Sequence, residues 1–202
     1  MPELPEVEVV KRSLKQAIFG LTIKNIEIRN KFLRYNIDEK SLNKMAKSKI
    51  LSVNRRAKYI IVNLDNAYSI LIHLGMTGKI IIISNNIKRN SSFYYDIKDN
   101  KPNHDHLVLN FNKNIKLVYN DVRKFGFIKL SKTRNLKSNS HLKKLGPEPL
   151  SKLFNFRYFK DKIKKRKTKL KDILMNQEFV AGLGNIYTNE AIFLSKISPK
   201  KR

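Results

Sequence analysis

Two carboxylates, Glu3 and Glu6, stand within four residues of a proline at the amino terminus, in MPELPEVE. An initiator methionine is normally removed ahead of proline, which leaves Pro2 with a free secondary amine. An α-amino group has a pKa of about 8, against about 10.4 for a lysine side chain, so a useful fraction is unprotonated at neutral pH. In that state it attacks a carbonyl-like carbon and forms an iminium. Two readings stand side by side on residue type alone. Pro2 is a nucleophile, or it merely follows the start codon; the two glutamates handle chemistry, or they complement the positive end of a helix dipole.

Other constellations carry weaker signals. NRRAKYIIV holds Arg55, Arg56 and Lys58 at a strand start, where Arg56 and Lys58 would share a face and direct a cation into a groove, or protect an edge from aggregation. HLGMTG places Met76 between two glycines after an apolar run, as an exposed apolar wedge or as a core filler. In HDH, His104 and His106 would face one way on a strand. That is a metal pair with no third ligand, or a phosphate contact, and the basic surroundings favour the contact. DVRKFG sets Arg123 and Phe125 two apart beside a glycine, a pair suited to stacking on bases or to filling the space one vacates. GLGNIY has a GxG but no third glycine and no preceding strand, so it is not a dinucleotide fingerprint. A glycine turn that opens a helix at Asn185 is instead a natural phosphate seat.

These groups need elements to position them. Val7, Val10, Leu14, Ala17 and Ile18 recur at spacings of three and four, which predicts an amphipathic helix over 6–19, with residues 1–4 as a short arm at its entrance. From Leu21 to Leu130 the texture changes to about eight short β-branched runs, LTIKNIEI, KILSV, KYIIVNL, YSILIHL, KIIIIS, HLVLNF, IKLVYND and FGFIKL. Close spacing without helices between them predicts antiparallel sheets packed as a sandwich or flattened barrel. The polar stretch 85–103 reads as a mobile surface loop. GPEPL at 146–150 marks a boundary, and the pattern beyond it is helical. The fold class is α+β, with a helix-bearing β-sandwich over 1–130, a linker over 131–150 and a small helical domain over 151–202.

Charge narrows the partner. Lysine and arginine outnumber acids 43 to 16, a net charge of +27, which draws polyanions by counterion release and long-range steering. Heavy use of Ile, Lys and Asn points to an AT-rich genome as the source of part of that excess, so location is more informative than the total. The densest run, RYFKDKIKKRKTKLK over 157–171, carries nine basic residues against the single acid Asp161 and includes Arg166. No apolar run approaches the roughly 20 residues of a membrane span, and the first 20 do not read as a signal peptide, so the cytoplasm is the expected compartment. There is no cysteine, which excludes disulfides, thiolate chemistry and any Cys-based zinc site within these residues. No metal or cofactor is expected in this chain.

The order of MPELPEVE, RRAKY, HLGMTG, HDH, DVRKFG, LGPEPL and GLGNIYTNE from Met1 to Pro199 resembles bacterial formamidopyrimidine-DNA glycosylases. Endonuclease VIII is the nearest relative of that family, and PELPEVE with the later spacing favours the oxidised-purine branch. The resemblance implies a base-excision repair enzyme, active as a monomer on double-stranded DNA, that removes formamidopyrimidines and 8-oxoguanine and then cleaves the strand by β-elimination. It implies that Pro2 attacks the anomeric carbon and forms a Schiff base, that Glu3 transfers protons, and that Glu6 positions sugar and water. Lys58 would be the proton donor associated with strand cleavage. Met76, Arg123 and Phe125 would fill the void left by an everted nucleotide. His104, Arg166 and Asn185 would hold backbone phosphates, which set register and affinity but not lesion identity.

Members of that family continue with more of a helix–two-turn–helix domain, a lesion-capping loop and a four-cysteine zinc finger that carries a DNA-contacting arginine. The chain contains none of these. Either a truncated or split gene product or an incomplete sequence is therefore expected, with an incomplete helical domain and weakened catalysis. The alternative from another class is a non-catalytic DNA-binding remnant, whose binding would show no preference for a lesion. A basic RNA-binding or ribosomal protein, which composition alone suggests, is opposed by the ordered motifs.

Overall fold

The computed structural model describes residues 2–91, 101–164 and 166–200. Its chain divides into two compact units, Met1–Leu136 and Lys137–Arg202.

The first unit opens on helix α1, Leu4–Ile18. Val7, Val10, Leu14 and Ile18 form its buried stripe, as the three-and-four spacing requires. The helix begins two residues earlier than the apolar pattern indicates, because Pro5, with its preset φ and missing N–H, sits in the first turn at no cost. The entrance arm is therefore shorter than expected and ends at Glu3.

Among the described residues nine strands follow: β1 Ile23–Ile28, β2 Ile50–Arg56, β3 Tyr59–Leu64, β4 Tyr68–His73, β5 Lys79–Ser84, β6 Ile87–Asn90, β7 Asp105–Phe111, β8 Ile115–Asn120 and β9 Phe127–Lys132. They form two antiparallel sheets, one in the order β1-β7-β8-β5-β6 and the other β2-β3-β4-β9. Alternate side chains of both sheets enter one core, where Ile23, Leu107, Leu109 and Leu117 meet Ile60, Val62, Ile70 and Ile72, and α1 closes it with Leu14. This is the sandwich that the alternation predicts. The stretch 85–103 corrects the expected loop, since Ile87–Asn90 pairs with Ile81–Ser84 as an edge strand. The expectation of mobility over 92–100 lies outside the described residues. A short helix α2, Glu39–Leu42, for which the sequence pattern specified no element, is capped by Asp38 accepting the Ser41 N–H.

The second unit holds helices α3 Phe156–Ile163, α4 Leu170–Met175 and α5 Asn185–Leu194. The 66 residues of Lys137–Arg202 make a thin core, and aromatic side chains thicken it. Phe179 is enclosed by Phe154, Tyr158 and Phe159, with Ile173, Leu174, Val180 and Ile192 completing the cluster. The Tyr158 hydroxyl donates to the Phe179 carbonyl at 2.9 Å, so its polar end is satisfied within that core.

Candidate nucleic-acid interface and active site

Glu3 is the residue immediately before α1 and is fully buried. Its backbone N–H donates to Glu6 Oε2 at 2.8 Å, which closes the first turn and fixes the Glu6 carboxylate beside the arm. The same helix start buries Pro2. The helix-dipole reading of the two glutamates is therefore physically real, and it does not compete with chemistry. Capping is what holds both carboxylates at the chain terminus.

Lys58 meets this cluster from another element. It does not lie on a strand with Arg56, as the sequence pattern suggested. Arg56 pairs directly with Tyr59, so Ala57 and Lys58 form a two-residue hairpin turn between β2 and β3. Ala57 adopts φ +51°, the left-handed conformation such turns demand. A turn projects its side chain beyond the sheet end, which a strand position would not. Burial pushes the Lys58 ammonium pKa down, and the negative charges of Glu3 and Glu6 oppose that shift. An amine and two carboxylates thus interact at the head of α1, next to Pro2, with the lysine biased toward easier proton release.

A second cluster gathers Met76, Arg123 and Phe125. Met76 sits in the turn after β4, and the other two lie in the loop between β8 and β9. Phe125 is 46% exposed, and the Arg123 guanidinium lies 4.7 Å from the centre of its ring. With Arg34, His73, Gly75 and Lys124 these three line one cavity. The two loops approach so closely that a Cβ on Gly75, which has φ +62°, would stand 2.5 Å from the Gly126 nitrogen. Exposed apolar and cationic groups on a tightly braced tip make a protrusion able to enter a stacked helix.

Arg34 was passed over by the motif reading. The available signal was the alternation of basic and aromatic residues in Lys31-Phe32-Leu33-Arg34-Tyr35. Lys31 lies over Phe32, Arg34 over Tyr35, and Lys129 sits 3.6 Å from the centre of the Tyr35 ring.

His104 and His106 do not form a pair. His104 ends a 3-10 turn before β7, whereas His106 is fully buried in the strand, its ring nitrogens 3.1 and 2.9 Å from the carbonyl oxygens of Asn30 and Asp121. Neither nitrogen of His106 faces open space, so the expected shared face and the metal pair built on it are both corrected. Partly exposed, His104 keeps a position from which it can reach a phosphate. Among the described residues no group of three or more His, Asp or Glu could hold a metal ion.

Arg166 and Asn185 belong to the second unit. Arg166 is exposed in the connection between α3 and α4, 5.5 Å from the ring of buried Phe179. Asn185 is exposed as the first residue of α5, behind a turn in which Gly182 adopts φ +106°. Gln177 braces that turn: its Oε1 accepts the Gly182 N–H at 2.9 Å and its Nε2 donates to the Leu183 carbonyl at 2.8 Å.

Residues 1–128 match the family model for the formamidopyrimidine-DNA glycosylase N-terminal domain, and residues 145–202 match the H2TH domain model of the same family. The formamidopyrimidine-DNA glycosylases of Rickettsia bellii and Rickettsia conorii are each 39% identical over 201 residues, spanning 100% of this chain and 69% of theirs. A Lactococcus lactis Fpg solved in complex with DNA containing an abasic site superposes with a TM-score of 0.85 at 35% identity, covering 99% of this chain and 69% of that one. The L. lactis protein bound to DNA containing N7-benzyl-Fapy-dG gives the same TM-score at 36% identity.

Proposed function

We infer the chemistry of this site from one premise: the chain belongs to the formamidopyrimidine-DNA glycosylase family. It is a base-excision repair glycosylase that acts on damaged DNA. Pro2, freed of Met1, attacks C1′ of an everted damaged nucleotide with its neutral secondary amine. The bond from C1′ to the base breaks, the base leaves with a proton, and opening of the sugar ring leaves an iminium on Pro2. Loss of a C2′ proton from that iminium then expels the 3′ phosphate, which is the β-elimination step. Glu3 takes the proton that the Pro2 nitrogen loses and supplies one to the ring oxygen, Glu6 positions the sugar and water, and Lys58, its ammonium made more acidic by burial, donates during strand cleavage.

The observation that carries this reading is the convergence of Lys58 on the buried Glu3 and on Glu6 at the head of α1, brought there by a turn and a helix start that are far apart in sequence. Met76, Arg123 and Phe125 fill the vacated stack, while His104, Arg166 and Asn185 hold phosphates. Oxidised purines are the proposed substrates. Two L. lactis complexes bear on the lesion class, one with N7-benzyl-Fapy-dG and one with an oxidised pyrimidine. The chain's own residues do not fit a four-cysteine zinc site, having no cysteine, and no step is routed through a metal.

Borohydride reduction tests the reading. Met-free protein incubated with a duplex containing 8-oxoguanine should give a covalent protein–DNA adduct through Pro2. No adduct on either a lesion or an abasic duplex would leave DNA binding without Schiff-base chemistry.

A further inference from the structure

Asp121 is fully buried and takes no part in the chemistry or phosphate contacts proposed above, yet both its carboxylate oxygens are spent on the two loops of the void-filling triplet. Oδ1 accepts from the Thr77 hydroxyl at 2.5 Å, and Oδ2 accepts the Gly126 N–H at 2.8 Å. The Thr77 hydroxyl in turn accepts the Arg123 N–H at 3.0 Å. Thr77 follows Met76, Gly126 follows Phe125, and Arg123 is tied through its own amide. Each member of the triplet is thus bonded, directly or at the next residue, into one relay centred on a single carboxylate.

The relay is anchored from below. The Asp121 N–H donates to the His104 carbonyl at 3.0 Å, and its own carbonyl lies 2.9 Å from His106 Nε2. Tyr119, two residues earlier in β8, donates its hydroxyl to the His73 carbonyl at 3.0 Å, at the end of the strand that leads to Met76. Charge-assisted bonds to a buried carboxylate are strong and directional, so the two loops are fixed relative to each other before DNA arrives.

We propose that Asp121 and Thr77 act as a positioning pair for base eversion. They hold Met76, Arg123 and Phe125 as a preformed wedge, so that ordering the tip does not add to the cost of unstacking the duplex. The pair serves the step before bond breaking and contacts neither the sugar nor the base. The inference rests on the glycosylase reading above, and it predicts a defect that depends on the presence of a base to be displaced.

The test uses the full Met-free chain with two duplexes, one carrying 8-oxoguanine and one a preformed abasic site, each with aminopurine in the neighbouring pair. Stopped-flow fluorescence reads wedge insertion and borohydride reads Pro2 chemistry. Thr77→Val keeps shape but removes the hydroxyl, and should slow insertion at the lesion by about tenfold, the loss of one net hydrogen bond to a charged group. Asp121→Asn, which cannot accept at both positions, should do the same, while Thr77→Ser restores the wild-type rate. Trapping on the abasic duplex should stay near wild type for all three. Insertion rates in Thr77→Val equal to wild type overturn the proposal, as does an equal loss in Thr77→Val and Thr77→Ser, which would mean packing alone. Wild-type protein that shows hydroxyl-dependent insertion but traps neither duplex would refute the Schiff-base reading and leave the positioning pair standing.

Discussion

Arg55 Nε donates to Glu8 Oε2 at 2.8 Å, and a terminal nitrogen of the same guanidinium donates to the Ala57 carbonyl at 2.9 Å. One side chain thereby ties α1, which carries Glu6 and directly follows Pro2 and Glu3, to the hairpin turn that carries Lys58. Glu8 also pairs with Lys11 at 2.8 Å and with Arg12 at 2.9 Å. Burial raises the Glu8 carboxyl pKa, and the hydrogen bonds from Lys11, Arg55 and Arg12 outweigh it, bringing the pKa down from 4.5 to about 2. A carboxylate whose pKa is depressed on folding stabilises the protein above its unfolded value and loses that contribution as pH falls toward its folded one. Wild type should therefore lose stability more steeply than Glu8→Gln between pH 4.5 and about 2, measured by urea midpoints across that range. Arg55→Lys keeps the charge but not the fork, and at neutral pH should cost about 2 kcal/mol of stability and lower excision more than DNA binding.

Lys58→Met removes the ammonium while keeping the length of the side chain. If the turn places a proton donor against Glu3 and Glu6, single-turnover strand cleavage should fall by about a hundredfold or more, within the usual range for a lost acid or base. Duplex affinity should change little. Equal losses in affinity and rate would instead make Lys58 a phosphate contact.

Gly126 is where the two wedge loops touch. A Cβ there would stand 1.8 Å from the Tyr119 hydroxyl oxygen and 2.5 Å from the His73 carbonyl oxygen. The backbone oxygen cannot swing aside, so the loops must part. Gly126→Ala should destabilise the first unit by roughly 3 kcal/mol, the upper part of the range for overpacking, and lower its thermal midpoint by several degrees. An unchanged midpoint in calorimetry would show that the loops are looser than their contacts imply.

Much of this framework was legible in the chain, and the exceptions share a cause. The stripe of α1 follows directly from burying one face, and β4 and β7, buried over most of their length, stand out as short apolar runs. The edge strand β6 was missed because three of its four residues are exposed, so it has no apolar period to read. Lys58 was placed on a strand because RRAKYI looks continuous. The break is set by a positive φ at Ala57, a residue type that does not announce it. Asp121 lay in a motif already singled out, yet its role depends on Thr77, 44 residues away, and only the fold brings the two together. Local period reveals faces; turns and long-range polar pairs are settled by packing.

The phosphate seat proposed at Asn185 offers a way to separate geometry from charge. Gln177 is uncharged and touches the helix start only through backbone groups, donating also to the Met175 carbonyl at 3.0 Å. Gln177→Ala removes the brace of the Gly182 turn that leads into Asn185. Affinity for duplex should drop about tenfold, roughly one or two neutral hydrogen bonds, with the salt slope of log K unchanged because no counterion is involved. Arg166→Ala should do the reverse in character. It removes one phosphate partner and should reduce that slope by about 0.9 while lowering affinity at every sequence alike. Fluorescence anisotropy titrations from low to physiological salt measure both. Parallel salt lines for Gln177→Ala and a flatter line for Arg166→Ala would assign orientation to one residue and charge to the other. A flatter line for Gln177→Ala would mean that the turn instead holds a cation in place.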